Sequence, residues 1–237
     1  MDLGACDIRI ESKPPTGAII GLVLSVLLCG GSLAFVTDQS RGGMAGALLV
    51  ISLLLVFSSA VALVRSLRSR SVALEVREGG IVYTDEAGDP RPIPYTAIRH
   101  ITHEVTRQRG RDLSCYALGT SGCYSIQLKP RAFRRTDVIA AGLALQRRYV
   151  QAISPLLMRR IAGGGDAAFG PLHLTRDALR IEGSSSVAWD ELSAVKVQRG
   201  TLQIISDGTT VARYPLTDLP NAALLLELLD RRVGLTI

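Results

Sequence analysis

The sequence predicts an α+β protein in which an N-terminal two-helix transmembrane hairpin is followed by two small β-barrel domains, each closed by a C-terminal helix. Three observations indicate this fold class: two long uncharged runs before residue 65, a set of short strands that recurs after residue 72, and a helical pattern after each set. Of 237 residues, 47% are hydrophobic and 20% charged, which excludes a disordered chain. Four cysteines are too few for a disulfide scaffold.

The two uncharged runs predict a transmembrane helical hairpin over residues 14–64, with spans at about 17–37 and 42–64. There are 24 residues without a charge before Asp38 and 23 before Arg65. About 20 apolar residues cross a bilayer as a helix, so each run has sufficient length. A buried pair of soluble helices is the alternative interpretation, but the rest of the chain has too few apolar residues to surround such a pair.

Basic residues near the spans predict that both termini face the cytoplasm. The outer ends of the hairpin carry five Lys and Arg residues, whereas the connector carries only Arg41. Because cytoplasmic segments are enriched in Lys and Arg, we expect a multi-pass protein of the inner or plasma membrane, with the bilayer as an integral partner. Residues 1–13 are then a cytoplasmic tail, and residues 65–71 a basic juxtamembrane linker. A cleavable signal peptide is the rival interpretation of the first span.

A pattern of short strands recurs about a hundred residues later in the chain. Four positions match at an offset of 98 residues and three later positions at an offset of 94, so that one shortened hairpin explains the difference. This single gap favours a duplication over chance. The matched positions are Leu74, Val76, Ile81 and Tyr83 with Leu172, Leu174, Leu179 and Ile181, then Ile93, Tyr95 and Ile98 with Val187, Trp189 and Leu192.

The second copy predicts a meander of strands closed by one helix. Asp207-Gly208 between two β-branched runs is typical of a two-residue hairpin. A helix beginning near Leu219-Pro220-Asn221 carries one leucine stripe, which suits covering the open side of a curled sheet. The predicted strands lie near 171–175, 178–182, 186–189, 193–198, 201–206 and 209–214.

Helix and loop signals between the copies define the domain boundaries. Thr136-Asp137 predicts the start of a long helix, and Ser154-Pro155 predicts its end or a kink, since proline removes a helical hydrogen bond. The first domain with this helix covers residues 72–162, a Gly-rich linker covers 163–168, and the second domain covers 169–237.

Two segments of the second copy resemble bacterial pleckstrin-homology-like domains. They are Phe-Gly-Pro-Leu-His-Leu-Thr-Arg-Asp at 169–177 and Val-Ala-Trp-Asp-Glu-Leu at 187–192. The whole arrangement of hairpin, first domain, long helix and second domain is similar to an uncharacterised bacterial membrane protein family. The resemblance implies two pleckstrin-homology-like domains and supplies no catalytic residues. Domains of this kind generally bind lipid headgroups, peptides or proteins, but the first hairpin of each copy is acidic.

The sequence contains no recognised catalytic or cofactor motif, and we expect no enzyme activity, cofactor or metal. The nearest approach to a metal cluster is His100, His103 and Glu104. They lie in a predicted strand, where residues three apart point to opposite faces. Cys115 and Cys123 are expected to stay reduced in the cytoplasm, and a redox switch is the alternative.

Positive charge is concentrated in residues 107–160, which hold ten arginines and Lys129 against two aspartates. The interpretations are a solvated helix face, contact with an anionic membrane leaflet at about 1 kcal/mol per basic residue, or nucleic-acid binding. The absence of a recognised nucleic-acid module argues against the last. The candidate lipid or partner contacts are Arg65, Arg68, Arg70, Arg131, Arg134, Arg135, Arg147 and Arg148.

Anchor and domains together predict a membrane-anchored, non-catalytic interaction module that presents its two domains on the cytoplasmic face and binds a protein or an anionic lipid surface. Two alternatives stay open. One is a membrane enzyme with an unfamiliar site around His100, His103 and Glu104. The other is a structural subunit of a membrane assembly that oligomerises through the Gly-x-x-x-Gly motifs beginning at Gly17 and Gly42.

Overall fold

The computed structural model describes residues 2–12, 16–36, 42–68, 72–85, 87–108, 111–121, 125–128, 133–183 and 186–236. Within these ranges the fold is mixed α+β. The helices are α1 (Thr16–Val36), α2 (Gly42–Arg68), α3 (Arg135–Ala162) and α4 (Ala222–Val233).

The strands of the described residues form two sheets in each repeat. The first repeat has β1 (Cys6–Glu11), β2 (Ala73–Arg77), β3 (Gly80–Thr84) and β4 (Pro90–Pro94) in one sheet, and β5 (Ile98–Gln108), β6 (Arg111–Thr120) and β7 (Ser125–Leu128) in the other. The second repeat has β8 (Ala167–Phe169), β9 (Leu172–Leu174), β10 (Ala178–Ile181) and β11 (Ser186–Ala188), then β12 (Leu192–Gln198), β13 (Thr201–Ser206) and β14 (Thr209–Pro215). Strand β15 (Leu235–Thr236) adds to β12 in parallel.

The strands predicted for the second copy are confirmed to within two residues at each end. The hairpin at Asp207-Gly208 is also confirmed, because both residues have positive φ, 49° and 75°, as a type I′ turn requires. The leucine stripe of α4 is buried as predicted, with Leu224, Leu225, Leu228 and Leu229 each at most 1% exposed.

The two repeats share side-chain hydrogen bonds as well as strands. In the first repeat, Tyr95 Oη donates to the carbonyl oxygen of Arg77 at 2.7 Å. In the second, Trp189 Nε1 donates to the carbonyl oxygen of Thr175 at 3.1 Å. Donors and acceptors are related by the offsets of 94 and 98 residues read from the sequence. The two repeats therefore correspond in these side-chain hydrogen bonds as well as in the positions of their strands.

The chain divides into two compact units. One unit comprises residues 1–10, 74–83 and 91–237, and so contains most of both repeats. The other comprises residues 11–73 and 84–90, and so contains α1 and α2.

The N-terminal segment forms strand β1, which sequence analysis treated as part of a tail. Strand β1 pairs beside β2, just as β8 pairs beside β9 in the second repeat. Only Gly170 and Pro171 connect β8 to β9, whereas α1 and α2 lie between β1 and β2 in the chain. The backbone N–H of Ser12 donates to the carbonyl oxygen of Val72 at 3.1 Å. The helical pair is thus an insertion into one hairpin turn, closed at its base by this bond.

The predicted transmembrane hairpin is wrong. Over the residues that the structure describes, no helix combines the length and the apolar character needed to cross a bilayer. The integral bilayer partner and the multi-pass membrane location are therefore wrong as well.

Helices α1 and α2 contact each other through small and polar groups. Ser25 Oγ donates to the carbonyl oxygen of Gly21 at 2.7 Å and lies 3.1 Å from Ser59 Oγ. Gly21 belongs to the first Gly-x-x-x-Gly motif, and it lies at this contact within the pair. For Gly42 and Gly46 of the other motif, the structure describes the helical backbone only. Large apolar side chains are exposed on both helices, including Ile20, Leu24, Leu27, Leu28, Leu54 and Phe57.

Helix α3 continues through Pro155, where the sequence predicted an end or a kink. It runs for 28 residues to Ala162. Its N-terminal half packs on β6 of the first repeat, and it also contacts β8 and α4 of the second. Ser154 and Ile161 are buried in the C-terminal half. Burial against the second repeat offsets the cost of an interior proline, about 3 kcal/mol.

Helix α3 approaches the first repeat most closely at Gly142. A Cβ atom built on Gly142 would overlap the ring of Tyr116, which is 2% exposed. The imidazole of His103 also stacks on that ring, with 4.5 Å between centroids and 9° between planes. The tyrosine ring is therefore in close contact with both the helix backbone and the histidine.

We predict that Gly142→Ala destabilises the protein, although alanine has the higher helix propensity. The added methyl group has no space beside the buried Tyr116 ring, and such overpacking costs about 1–3 kcal/mol. Urea denaturation measures the change. Gly30→Ala in α1 is the control, because its Cβ meets nothing within 4 Å, and we expect it to be neutral or stabilising. A Gly142→Ala protein as stable as the parent would contradict the close approach.

Candidate functional site between the repeats

Asn221, the residue before α4, connects the second repeat to strand β5 of the first. Its Oδ1 accepts from the backbone N–H of Ile101 at 2.7 Å, and its own backbone N–H donates to the carbonyl oxygen of Ile101 at 3.0 Å. Its Nδ2 donates to the carbonyl oxygen of Arg99 at 3.0 Å. Three hydrogen bonds from one residue thus satisfy one edge of a strand in the other repeat.

The chemistry of asparagine suits this position. Asn221 has φ 55° and ψ 35°, the left-handed conformation that asparagine tolerates better than most residues. Its amide carries a donor and an acceptor on one short side chain, as a peptide group does. An asparagine at this position ordinarily caps its own helix, but here the side chain makes no cap bond and bonds to β5 instead.

A cleft of about 420 Å³ lies beside Asn221, with walls from both repeats. Its apolar lining comes from Ile98, Ile153, Leu157, Phe169 and Leu224, and its polar lining comes from Thr96, Arg99, Tyr149, Arg160, Asp166 and Asn221. Apolar surface with a few polar groups is the usual composition of a binding site.

Two ionisable groups of the cleft, Asp166 and Tyr149, have pKa values shifted away from neutral pH. A hydrogen bond from His173, 3.3 Å from Asp166, holds the pKa of that carboxyl below its usual range, and the charge of Arg160 adds to the effect. Burial raises the pKa of Tyr149 to about 12, so its phenol stays protonated and donates to the carbonyl oxygen of Ile98 at 3.4 Å. The lining described here supplies binding groups and no poised acid or base.

A second, more apolar cavity of about 270 Å³ lies within the first repeat. It is bounded by residues of β3, β4, β6 and β7, with Arg91 among them. It belongs to one repeat only, and it does not include any of the arginines proposed from the sequence as contacts.

Of the eight arginines predicted as lipid or partner contacts, the structure describes the side chains of four. Arg134, Arg135 and Arg147 are exposed on or just before α3. Arg148 is half-buried and forms a bidentate ion pair with Asp7 of β1, with Nη2 at 2.7 Å from Oδ1. Four others lie outside the residues, or the side chains, that the structure describes: Arg65, Arg68, Arg70 and Arg131.

The pair of Asp7 and Arg148 holds strand β1 against α3. The hydrogen bonds from Arg148 hold the pKa of the Asp7 carboxyl below its ordinary value. The stabilisation from this pair is therefore complete above the unfolded pKa near 3.8 and is lost as the pH falls through the lower folded value. Arg148 thus has a structural partner within the chain, which the charge pattern alone did not reveal.

The histidines proposed as the nearest metal cluster lie on opposite faces of β5, as alternation predicted. His100 is paired with Gly119 and His103 with Tyr116. Burial lowers the pKa of His103, and its Nε2 has no hydrogen-bond partner among the described residues. Across the described part of the chain, no three His, Cys, Asp or Glu side chains are grouped as a metal site. Cys123, the predicted neighbour of Cys115, lies outside that part.

The family model of DUF6585, a family of unknown function, matches residues 2–234. The chain belongs to this family. The match spans β1, the helical insertion, both repeats and α4, so the predicted resemblance to an uncharacterised family is confirmed at that level. No curated protein matches the sequence significantly.

Sequence reasoning missed Asn221 as the residue that bonds the second repeat of this DUF6585 member to the first. The motif Leu219-Pro220-Asn221 was interpreted only as the start of a helix. A usable signal was present, because Pro220 restricts the chain and asparagine both tolerates positive φ and caps helices. The bond partner lies 120 residues away, and no local pattern identifies it.

We predict that Asn221→Gly lowers the free energy of unfolding by about 1–3 kcal/mol, because it removes two side-chain hydrogen bonds and keeps the left-handed backbone. Asn221→Ala should cost about 1 kcal/mol more, since alanine disfavours this conformation. Urea denaturation followed by the fluorescence of Trp189, the single tryptophan, measures both changes.

Hydrogen exchange at Ile101 gives the local readout for these variants. Loss of the Asn221 side chain should speed exchange of the Ile101 amide. The control is Asp207→Ala. Asp207 also has a positive φ of 49°, in the exposed β13–β14 turn. This variant therefore introduces the same backbone strain but removes no hydrogen bond between the repeats. Unchanged exchange at Ile101 in Asn221→Gly would show that the contact does not form in solution.

Proposed function

We propose that this DUF6585 member is a non-catalytic interaction module that binds a protein partner in the cleft between its repeats. The cleft between the repeats is the observation that carries the proposal: it has apolar walls from both repeats and a polar rim, and the pKa values of Asp166 and Tyr149 lie away from neutral pH. Asn221 keeps the two walls in a fixed relation, which reduces the ordering cost of binding.

The lining indicates the chemistry of the partner. Ile153, Leu157 and Phe169 offer apolar surface, and Arg99 and Arg160 are cations in the same cleft. Arg160 lies 3.4 Å from Asp166 and is 63% exposed, so its guanidinium keeps donors that face solvent. A partner segment that presents an aliphatic or aromatic side chain next to a carboxylate would complement this lining.

Site-specific photocrosslinking tests the proposal. A benzophenone side chain at Leu157 should capture a defined protein in cells, and the same group at the exposed Arg180 of β10 should not. The double variant Arg99→Glu/Arg160→Glu should abolish the crosslink by reversing the charge of the rim. Arg180→Glu is the control for a general effect of charge.

The captured protein must then bind the purified chain, with affinity reduced at least about tenfold by the charge-reversal pair, equivalent to about 1.4 kcal/mol. A crosslink that is equally strong from Leu157 and Arg180, or that persists in the double variant, would contradict the cleft as the binding site.

Self-association through α1 and α2 is a second candidate function. Its support is the exposed apolar surface of the helical pair, where Leu27 is 66% and Phe57 71% exposed. Exposed apolar surface of this kind is typical of interaction sites, and a second copy presents the same surface with two-fold symmetry. Sedimentation velocity of the full chain should show an oligomer that Leu27→Ser/Phe57→Ser dissociates and Val211→Ser in β14 does not. An unchanged mass in the double variant would rule out this candidate.

A further inference from the structure

The cavity of about 270 Å³ in the first repeat lies between two edge strands. Strand β4 is at one end of the order β1-β2-β3-β4, and β7 is at one end of the order β5-β6-β7. Residues of both strands line the cavity, together with Tyr83 of β3 and with Ala97, Thr120 and Ser121. The cavity therefore lies at a seam between the two sheets of this repeat, which we call the β4–β7 seam.

The β4 side of this seam lacks the donors that an added strand needs. The backbone N–H of Asp85 donates to the carbonyl oxygen of Asp89 at 3.3 Å, which sets the register of the β3–β4 hairpin. Because bonded pairs recur at every second residue, the backbone groups of Ile93 point toward β3 and those of Pro92 and Pro94 point outward. Proline has no N–H to offer a further strand. A small molecule therefore suits this seam better than an extended peptide.

In the second repeat, the chain itself occupies the equivalent position. By the offset of 94 residues, Ala188 and Glu191 are the equivalents of Pro94 and Ala97. The backbone N–H of Ala188 donates to Glu191 Oε2 at 3.3 Å. In the first repeat, proline removes this donor and alanine removes the carboxylate side chain, and both residues line the cavity. The cavity therefore borders the position that a glutamate side chain fills in the second repeat.

The volume and the walls of the cavity suit a small apolar molecule. At about 30 Å³ per water molecule, 270 Å³ corresponds to about nine waters, and so to a ligand of about ten non-hydrogen atoms. The apolar walls come from Ile93, Ile126 and the rings of Pro92 and Pro94. Protein interiors contain few voids larger than a water molecule. A space of this size with apolar walls is therefore typical of a ligand site.

The described lining of the cavity carries a cation and no anion. Arg91 supplies the charge, and Thr120, Ser121 and Ser125 are hydroxyl residues. No Asp or Glu is present among the described lining residues. A guanidinium binds a carboxylate through charge-assisted hydrogen bonds, and hydroxyl groups donate to the remaining lone pairs. The lining therefore favours a ligand with a carboxylate over one with an amine.

We propose that the β4–β7 seam binds a small monocarboxylate with an apolar body, of the size of octanoate. The carboxylate lies at Arg91 and the hydroxyl residues, and the apolar body lies between the proline rings and Ile126. This binding activity belongs to the first repeat alone, and it goes beyond the protein partner proposed for the cleft between the repeats.

Titration of the ¹⁵N-labelled full chain with octanoate is the first test. We expect saturable shifts of the Ile93, Ala97 and Ile126 amides, with one molecule bound per chain. Octan-1-ol has the same apolar body without the charge, and we expect it to bind at least about tenfold more weakly. Equal affinity for the two probes would overturn the proposal, as would shifts confined to the exposed apolar residues of α1 and α2.

Arg91→Gln removes the cation and keeps the cavity. Octanoate affinity should fall about tenfold, whereas the affinity for octan-1-ol should not change. Arg91→Lys keeps the charge and should retain most of the octanoate affinity. Arg180→Gln, at an exposed position of β10, is the control for a general loss of positive charge. Octanoate affinity that is the same in Arg91→Gln and in the parent would overturn the proposal.

Ala97→Phe fills the cavity and should abolish octanoate binding. Ala140→Phe, at an exposed position of α3, is its control and should bind octanoate as the parent does. Parental affinity in a folded Ala97→Phe protein would contradict the site. If Ala97→Phe fails to fold, the Arg91 variants still test the proposal with the cavity unfilled. Arg99→Glu/Arg160→Glu should bind octanoate normally, so failure at the seam and failure at the cleft are distinguishable.

Discussion

The relation between the two repeats depends on the bonds that Asn221 makes to strand β5. A residue in the second repeat satisfies both backbone groups of Ile101 and one of Arg99, and in doing so it gives up the capping of its own helix. Unpaired backbone groups at a contact between repeats would each be costly. Because these bonds are directional, they fix orientation as well as distance. They therefore also fix how the two walls of the neighbouring cleft face each other.

The chain segments at the two ends of helix α4 are each hydrogen-bonded to the edge of a β-strand. Asn221 precedes it and bonds to β5, while β15 follows it and pairs with β12. Its four buried leucines provide the non-directional part of the attachment. Helix α3 has a comparable position, since it packs on β6 of the first repeat and against β8 and α4 of the second. The two helices that close the repeats therefore also connect them, and a binding surface formed by both repeats is a direct result.

Local sequence patterns predicted the elements that depend only on neighbouring residues, namely strands and turns. The strands of the second repeat and the Asp207 turn follow from β-branched runs and turn chemistry. Strand β1 was missed because its partner lies beyond the helical insertion, and α3 was cut short because packing outweighs Pro155. The predicted transmembrane hairpin was wrong, since none of the described helices combines the length and the apolar character that a bilayer span needs. In the candidate site, the arginine pattern could not show that Arg148 is paired with Asp7, and the Asn221 bonds join residues far apart in sequence.

The helical insertion between β1 and β2 has a consequence for the order of folding. In the second repeat, two residues separate the equivalent strands, whereas about sixty separate β1 from β2. Each doubling of a flexible loop adds about 0.6 kcal/mol to the entropy cost of closing it, so this difference amounts to about 3 kcal/mol. Formation of the α1–α2 pair shortens the effective loop and brings Ser12 toward Val72. We therefore expect the first sheet to be completed late, after the helical pair, and the second repeat to form without waiting for it.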